Sequence, residues 1–370
     1  MVMATIAFLI TLLYSALLYK LKSILAKDSF TLNSLFKPQH ELSIIIPIKN
    51  EAQNISRVIE SLDAQDYPQK LIHIIFVDDN SNDSFLDEIN RAKLKCRGMN
   101  IRVINNTGNG KKCAITTGIN LADTKYVVLT DADVYHSRNW LSTIAAYCET
   151  YQPTLLVGAV FMNSSTYFED FQACDYAAMQ IVGASLLLEG SPVLCSGANL
   201  TVHRESFLKA NPYNSNLDIA SGDDMFLMQS FAEEYGKETI HFLNSANSFA
   251  FTNAKENLFG YLEQRLRWAS KTKYYFLSST GLLGLVVFIV HLILLILLLA
   301  SIYNQWFLWP FGFFLAAKTS FEYLLFREAE KKFKLKFPLK WFIVFQFLQI
   351  VFIPNLALLS VFKKNTNWKT

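Results

Sequence analysis

Residues 126–133 read Tyr-Val-Val-Leu-Thr-Asp-Ala-Asp, a short apolar run that ends in two carboxylates. An earlier stretch has the same form, because Ile72–Val77 (IHIIFV) is followed directly by Asp78 and Asp79. Short continuous apolar runs predict strands that are buried on both faces of a sheet. These two stretches therefore predict buried strands with acidic residues at their carboxyl ends.

The sequence around these runs alternates between strand and helix patterns. Leu42–Pro47 (LSIIIP) and Ile101–Ile104 are two further predicted strands. Helical spacing of apolar residues predicts helices at Glu51–Ala64, Phe85–Leu94 and Lys111–Leu121. The alternation predicts an α/β fold, with a mostly parallel sheet and helices on both faces. Since ligands bind at the carboxyl ends of strands in such sheets, the acidic residues indicate the site.

Each acidic group also has a purely structural interpretation. The acids after Val77 could form a turn, with Asn82 or Asp83 capping the next helix. Asp131 and Asp133, two residues apart, suit a divalent cation with oxygen ligands, although a turn explains them too. Asp223 and Asp224 precede an apolar helical stretch, where acids also complement the helix dipole. For the first two groups, the position after a strand of an α/β pattern favours chemistry over capping.

A basic and aromatic motif follows at residues 264–268. On a helix, Gln264, Arg267 and Trp268 lie on one face, where a cation beside an indole suits a sugar and a phosphate. Trp and Arg also gather at membrane edges, so an interfacial anchor is the alternative interpretation.

Four apolar runs lie near the two ends of the chain. They cover about residues 1–19, 281–303, 306–326 and 341–362, each close to the ~20 residues that cross a bilayer as a helix. The first lacks a basic segment before it and predicts a retained anchor. Lys318 and Glu322, four apart in the third run, predict an ion pair inside the bundle or a role beside an acceptor. Pro354 lies near the middle of the fourth run, so a broken helix there is an open alternative.

The distribution of basic residues predicts the orientation in the membrane. Three lysines follow the first run, and residues 327–340 hold six Lys or Arg against two Glu. By the positive-inside rule, both regions lie in the cytoplasm, which also places the central domain there. If the fourth run crosses, the tail with Lys363, Lys364 and Lys369 lies outside.

Composition excludes several other classes of protein. Hydrophobic residues make up 52% of the chain and charged residues 18%, which excludes disorder. A net charge of +3 gives no reason to expect a nucleic-acid partner. The five cysteines are widely spaced and predict buried thiols in a reducing compartment.

Five motifs occur in a characteristic order. They are Pro47-Ile48-Lys49-Asn50-Glu51, Val77-Asp78-Asp79-x-Ser81-x-Asp83, Asp131-x-Asp133, Asp223-Asp224 and Gln264-x-x-Arg267-Trp268. Together with the C-terminal membrane region, this order resembles the membrane-bound family 2 glycosyltransferases, relatives of cellulose, hyaluronan and poly-N-acetylglucosamine synthases. The resemblance covers about residues 42–270. It implies a GT-A (Rossmann-like) fold, an inverting reaction, a nucleotide-sugar donor that is most often a UDP-sugar, and a divalent cation, Mg²⁺ or Mn²⁺.

The resemblance also implies a role for each matching residue. The nucleotide sugar would be bound by Pro47, Glu51, Asp78, Asp79 and Asp131, and the metal by Asp133 with Asp131. Asp224 would be the general base with Asp223 beside it, and the diphosphate and acceptor would be held by Gln264, Arg267 and Trp268. Lys111, in a Gly-Asn-Gly-Lys-Lys stretch, either reaches the nucleotide or starts a solvated helix. The Thr-Glu-Asp common in the family is Gly222-Asp223-Asp224 here, one methylene shorter before the base.

The sequence therefore predicts three regions and one leading function. Residues 1–20 would anchor the chain, residues 41–270 would form a cytoplasmic GT-A domain, and residues 271–370 would add two to three membrane helices. The protein would transfer a sugar to a saccharide or lipid-linked acceptor at the cytoplasmic face of the cell (inner or plasma) membrane, in polysaccharide or glycolipid synthesis. Export or assembly partners are left open. The alternative is a degenerate, non-enzymatic membrane subunit that recruits partners, against which the intact acids argue.

Overall fold

The computed structural model describes residues 2–27, 29–33, 35–96, 98–217, 219, 222–271 and 278–362. The chain forms two compact units. The sheet unit comprises the described residues within 28–163 and 187–253, and the helical unit those within 1–27, 164–186 and 254–365.

The sheet unit contains ten strands among its described residues. They are β1 (Leu42–Ile48), β2 (Ile72–Asp78), β3 (Asn100–Asn105), β4 (Tyr126–Leu129), β5 (Val134–His136), β6 (Leu155–Val157), β7 (Val160–Asn163), β8 (Leu200–His203), β9 (Ile240–Phe242) and β10 (Ala250–Asn253). Its helices are α2 (Ala52–Asp63), α3 (Phe85–Lys95), α4 (Lys111–Leu121), α5 (Trp140–Tyr151), α7 (Arg204–Ala210) and α8 (Asp223–Tyr235).

Seven strands form the main sheet, in the order β3-β2-β1-β4-β8-β6-β9. All neighbours are parallel except β8, which is antiparallel to β4 and β6. This confirms the predicted mostly parallel sheet. Pro47 is tolerated in the central strand β1 because the pairing with β4 ends at Ile45, so that its missing N–H falls beyond that ladder.

Helices cover both faces of this sheet. Ile44, Ile46 and Ile48 of β1 join one buried cluster with the apolar faces of α2, α3 and α5. On the opposite face, Gly118 of α4 lies against Ile45, where a β-carbon would come within 2.6 Å of the Ile45 side chain. The close approach of α4 matters for the site, because this helix carries Lys111 at its first position.

A second, three-stranded sheet has the order β5-β10-β7. The sequence patterns did not predict it, since its strands are only three or four residues long. It begins directly after Asp133, and Thr252 Oγ1 of β10 donates to the Asp133 carbonyl oxygen at 3.3 Å. The sheet therefore fixes the backbone that carries this acid.

The described helical unit is made of long helices. They are α1 (Val2–Leu25), most of α6 (Tyr167–Leu188), α9 (Leu258–Ala269), α10 (Ser279–Tyr303), α11 (Leu308–Phe333) and α12 (Phe342–Phe362). Phe171 of α6, Tyr261 of α9 and Phe345 of α12 meet in one apolar cluster.

Helices α1 and α11 run parallel to each other. The Phe8 ring stacks on Phe313 at 5.8 Å, and Tyr14 Oη donates to Glu322 at 2.6 Å. Further along both helices, Lys332 Nζ donates to the Lys27 carbonyl oxygen at 3.0 Å. The residue numbers of the contacting pairs increase together along both helices, so the two helices lie at the same level.

Three described helices are long and apolar enough to cross a membrane: Thr5–Leu25, Ser279–Tyr303 and Leu339–Phe362. The third predicted run, residues 306–326, forms a helix within α11 but is not among them, because its polar residues lower the mean hydropathy. The α12 helix continues through Pro354, so it is not broken as the sequence allowed. The predicted outer tail with Lys363, Lys364 and Lys369 lies outside the described residues.

Candidate functional site

The carboxyl end of β2 carries Asp78 and Asp79 in different surroundings. Asp78 is half-buried, and its Oδ1 accepts from the Ser81 N–H at 2.9 Å. Asp79 is 1% exposed and accepts from Asn106 Nδ2 at 2.7 Å and from the Gly110 N–H at 2.9 Å. Asp79 therefore organises the loop that leads into Lys111, whereas Asp78 is the more accessible of the two acids.

The loops after β1 and β2 are tied together by side chains. Asp83 Oδ2 accepts from the Ala52 N–H at 2.7 Å, and Asn50 Oδ1 accepts from the Asn82 N–H at 2.9 Å. The interpretation of Asn82 or Asp83 as the cap of the next helix is wrong, because the N-cap of α3 is Ser84. These bonds hold the predicted nucleoside residues Pro47 and Glu51 beside the end of β2; Glu51 is itself buried.

Lys111 joins two of the predicted acids. Its Nζ lies 2.7 Å from Asp131 Oδ1, just after β4, and 3.1 Å from Asp223 Oδ2, at the start of α8. All three side chains are largely buried, at 12%, 31% and 12% exposure. The solvated-helix interpretation of Lys111 is therefore wrong, and the structure brings Lys111, Asp131, Asp223 and Asp224 into one cluster.

The charges of this cluster perturb one another. Burial raises the pKa of Asp131, the Lys111 ammonium lowers it, and Asp133 raises it again, so that it lies above its ordinary value. Burial alone would lower the pKa of Lys111, but Asp131 and Asp223 raise it above its usual range. The ammonium is thus held charged, and the excess of carboxylates favours binding of a further cation.

The loop before β8 packs directly over the acid pair. A β-carbon at Gly197 would lie 2.8 Å from Asp223 Oδ2 and 3.4 Å from Lys111 Nζ, so only glycine fits there without displacement. Cys195 Sγ contacts the Asp224 carbonyl oxygen at 3.4 Å, and Tyr213 Oη donates to that of Asp223 at 3.2 Å. The backbone of the acid pair is therefore held from two sides.

Buried polar residues fix the end of β4 against this loop. Thr130 Oγ1 donates to the Ala198 carbonyl oxygen at 3.0 Å and is 2.9 Å from His136 Nε2. Asn199 accepts from Trp140 Nε1 at 3.0 Å and donates to the carbonyls of Ala159 and Ser248, both at 2.9 Å. Asn199 therefore has a structural role, because its side chain holds the turn before β8 in place.

The carboxylates around Asp133 could hold a divalent cation only if water and a bound substrate supplied further oxygen ligands. No group of three or more His, Cys, Asp or Glu residues in the described ranges could hold a metal. Asp133 is half-buried, and its charge acts on Asp131 two residues earlier. Mg²⁺ is usually bound by one or two carboxylates and completed by water and substrate phosphates, so the residues present fit such a cation.

The predicted motif Gln264, Arg267 and Trp268 lies on α9, in the helical unit. Trp268 packs against Tyr176 of α6, with ring centroids 5.5 Å apart. Gln264 Oε1 is buried, with no hydrogen-bond partner among the described residues. Arg267 is half-buried in the last turn of α9. The structure brings these three residues together on one helix of the helical unit.

Sequence reasoning missed the residues that hold α9 in place. Arg265, between the predicted residues of the motif, forms an ion pair with Asp175 of α6 at 3.1 Å. Tyr261 Oη donates to the same carboxylate at 2.7 Å. The helical spacing of Tyr261 and Arg265 was the available signal, since residues four apart share a helix face.

Residues 43–209 match the model of the glycosyl transferase family 2. Residues 43–209 therefore belong to a family 2 glycosyltransferase domain, and the sheet unit has the GT-A fold. The matched part of this glycosyltransferase domain contains Lys111, Asp131 and Asp133, and it ends before Asp223 and Asp224. All five cysteines are free thiols; Cys96, Cys148 and Cys174 are buried as predicted, whereas Cys113 and Cys195 are half-buried.

Two relatives share part of the glycosyltransferase sequence. The poly(ribitol-phosphate) beta-glucosyltransferase of Bacillus spizizenii is 37% identical over 97 residues, which are 26% of this chain and 15% of that protein. The dolichyl N-acetyl-alpha-D-glucosaminyl phosphate 3-beta-D-2,3-diacetamido-2,3-dideoxy-beta-D-glucuronosyltransferase of Methanococcus voltae is 32% identical over 111 residues, 30% of this chain and 34% of that protein. The chain thus matches about a third or less of these relatives' length.

A solved structure extends the similarity to the fold of nearly the whole chain. The mannosyltransferase of Pyrobaculum calidifontis, in complex with GDP-Man and Mn²⁺, has a TM-score of 0.60 at 18% identity. The match covers 96% of this chain and 99% of that one.

Proposed function

We propose that the protein is a membrane-bound glycosyltransferase that moves a sugar from a nucleotide sugar to a saccharide or lipid-linked acceptor, with inversion. The observation that carries this proposal is the cluster of Lys111, Asp131, Asp223 and Asp224 at the edge of the sheet, of which Lys111 and Asp131 lie in the part that matches the family 2 model. The two relatives are named as transferases of sugars to poly(ribitol-phosphate) and to a dolichyl phosphate sugar, which supports both acceptor classes.

In the proposed reaction, the acceptor hydroxyl oxygen forms a bond to the anomeric carbon. The bond from that carbon to the diphosphate oxygen breaks, and the acceptor proton passes to Asp224. A carboxylate placed as a general base accelerates such a step by ~10²–10⁴-fold. No covalent enzyme intermediate is required for inversion.

The remaining predicted residues would bind the donor. Asp78 and Asp79 would border the base and ribose, with Asp79 acting through the loop that it organises. A cation held by Asp131 and Asp133, Mg²⁺ or Mn²⁺, would stabilise the leaving diphosphate. The Pyrobaculum calidifontis protein binds GDP-Man and Mn²⁺, which supports a donor and a cation of this class.

Gln264, Arg267 and Trp268 would contact the diphosphate and the acceptor sugar. The buried Gln264 Oε1 can accept a hydrogen bond from a sugar hydroxyl. Arg267 can bind phosphate oxygens, and the Trp268 indole offers an apolar face to a sugar.

Four helices of the helical unit are proposed to cross the cell membrane. Helix α11 lies parallel to and level with α1, so it spans the same layer although its mean hydropathy is lower. The two charges within its apolar run are paired, since Lys318 Nζ is 3.0 Å from Glu322 and also donates to Gln346. The basic ends of α1 and α11 lie side by side, which favours the cytoplasmic face for that side and for the domain that follows α1.

Cysteine accessibility tests this arrangement. In a background without reactive native thiols, Asn304→Cys should react with an impermeant reagent added outside intact cells, and Lys334→Cys and Asn82→Cys only after permeabilisation. Labelling of Asn304→Cys and Lys334→Cys from the same side would show that α11 does not cross.

Asp133→Asn tests the enzyme against the non-enzymatic alternative. Purified protein is assayed with a panel of UDP- and GDP-sugars, Mg²⁺ or Mn²⁺, and native lipid extract. We expect wild-type release of nucleoside diphosphate, inhibition by EDTA, and loss of most activity in Asp133→Asn. Asp123→Asn, an exposed carboxylate before the other end of β4, is the control and should keep wild-type turnover. A wild-type protein that turns over no donor would favour the recruiting subunit.

A further inference from the structure

We infer that Lys111 is a positioning residue that holds the acid pair of α8 at its working distance from the end of β4. This inference rests on the proposed function and deepens it. The family resemblance left Lys111 either at the nucleotide or in solvent. The structure instead places its ammonium on two carboxylates that belong to different elements.

Lys111 connects two different elements of the sheet unit. Asp131 follows a buried strand of the main sheet, and Asp223 is the first residue of α8. The salt bridges of 2.7 and 3.1 Å make Lys111 a link between a fixed strand end and a helix start. Asp224, the next residue, is therefore positioned by a contact that it does not make itself.

The residues around Asp223 have no room to rearrange and replace this link. The Gly197 backbone closes the space above Asp223, as a β-carbon there would already be 2.8 Å from its Oδ2. Removing the ammonium leaves two largely buried carboxylates facing each other. Their repulsion would push the start of α8 away from β4, since opposite charges are what make such a pair tolerable.

The two salt bridges of Lys111 also distinguish this role from donor binding. A lysine whose ammonium is shared by Asp131 and Asp223 has most of its donor capacity used inside the protein. Its loss should change the rate of the chemical step more than the affinity for nucleotide. A lysine that contacts the diphosphate directly would change both to the same degree.

Hydrogen exchange tests the inference without any turnover. In the purified protein, Lys111→Met should speed exchange of the Phe226–Ser230 amides several-fold and leave β1 unchanged. Lys209→Met is the control, since that ammonium forms an exposed ion pair at 3.0 Å with Glu234 near the end of α8. Unchanged exchange in Lys111→Met overturns the inference, whether or not the wild type transfers sugar.

Two further variants keep the experiment decisive. If Lys111→Met does not fold, Asp223→Asn breaks the same link while Lys111 keeps Asp131, and it should speed the same exchange. Lys111→Arg keeps the charge and should restore slow exchange. The proposed link would be contradicted if Asp223→Asn did not speed exchange at the start of α8. It would also be contradicted if exchange in Lys111→Arg were as fast as in Lys111→Met.

Kinetics provide the second readout, with a donor that the wild type turns over. We expect kcat of Lys111→Met to fall by ~10²-fold, with UDP or GDP affinity and donor KM within a few fold of wild type. The double variant Lys111→Met with Asp223→Asn should be no slower than the slower single variant. A loss of nucleotide affinity equal to the loss in kcat would assign Lys111 to the diphosphate and overturn the inference. Absence of turnover in the wild type would contradict only the proposed function.

Discussion

The buried His136 makes the stability of the sheet unit dependent on pH. Its ring stacks on Trp140 with centroids 3.7 Å apart, and Nε2 is bonded to Thr130 at 2.9 Å. Burial lowers the pKa of His136 from 6.5 to about 3. The folded protein therefore keeps this imidazole neutral at pH values where the unfolded chain binds a proton.

The sign and the size of the effect follow from this difference. Stability is complete above pH 6.5 and falls as the pH decreases towards 3, because only the unfolded state gains the proton in that window. Each pH unit is worth about 1.4 kcal/mol, so a shift from pH 7 to pH 5 costs roughly 2 kcal/mol. His136→Gln keeps a hydrogen-bonding group at this position and removes the titration.

Guanidinium unfolding at pH 7 and pH 5, followed by tryptophan fluorescence in detergent, measures the effect. We expect wild type to lose roughly 2 kcal/mol more than His136→Gln between the two pH values. His40→Gln, which removes an imidazole with 64% exposure, should follow the wild type. Equal losses in wild type and His136→Gln would refute the reasoning.

Three further predictions concern the scaffold and the α9 motif. Asn199→Ala removes three buried hydrogen bonds and should lower the free energy of unfolding by about 3 kcal/mol or more, measured in the same titration. Lys318→Met leaves the Glu322 carboxylate without its cation and should reduce the yield of monodisperse protein, which Glu322→Gln should restore in the double variant. Arg267→Ala should weaken nucleotide binding in calorimetry and lower kcat together; an unchanged Kd would remove it from the diphosphate site.

The regular part of the fold could be predicted because its signals are local. The predicted bounds of β4 and α4 agree with the structure, and the run of isoleucines in β1 indicated a strand buried on both faces. The second sheet could not be predicted, since strands such as Val134–His136 are too short for a periodic pattern. Helix α11 was predicted, but its packing against α1 depends on contacts between distant residues.

The site shows the same division between local and distant information. Asp131, Asp133, Asp223 and Asp224 stood out because each lies at the end of a strand or the start of a helix. The link through Lys111 could not be predicted, because it joins residues that are far apart in the sequence. Gly197 also carried no local signal, since its role depends on the space beside Asp223.

The most direct test of the proposed reaction compares Asp224→Asn with wild type for both donor binding and turnover. Asparagine keeps the shape of Asp224 and removes the basic lone pair that would accept the acceptor proton. We expect UDP or GDP affinity within a few fold of wild type and a fall in kcat of ~10²–10⁴-fold, in a protein with an unchanged melting temperature. A folded Asp224→Asn protein with full turnover would contradict the proposed reaction at its central step.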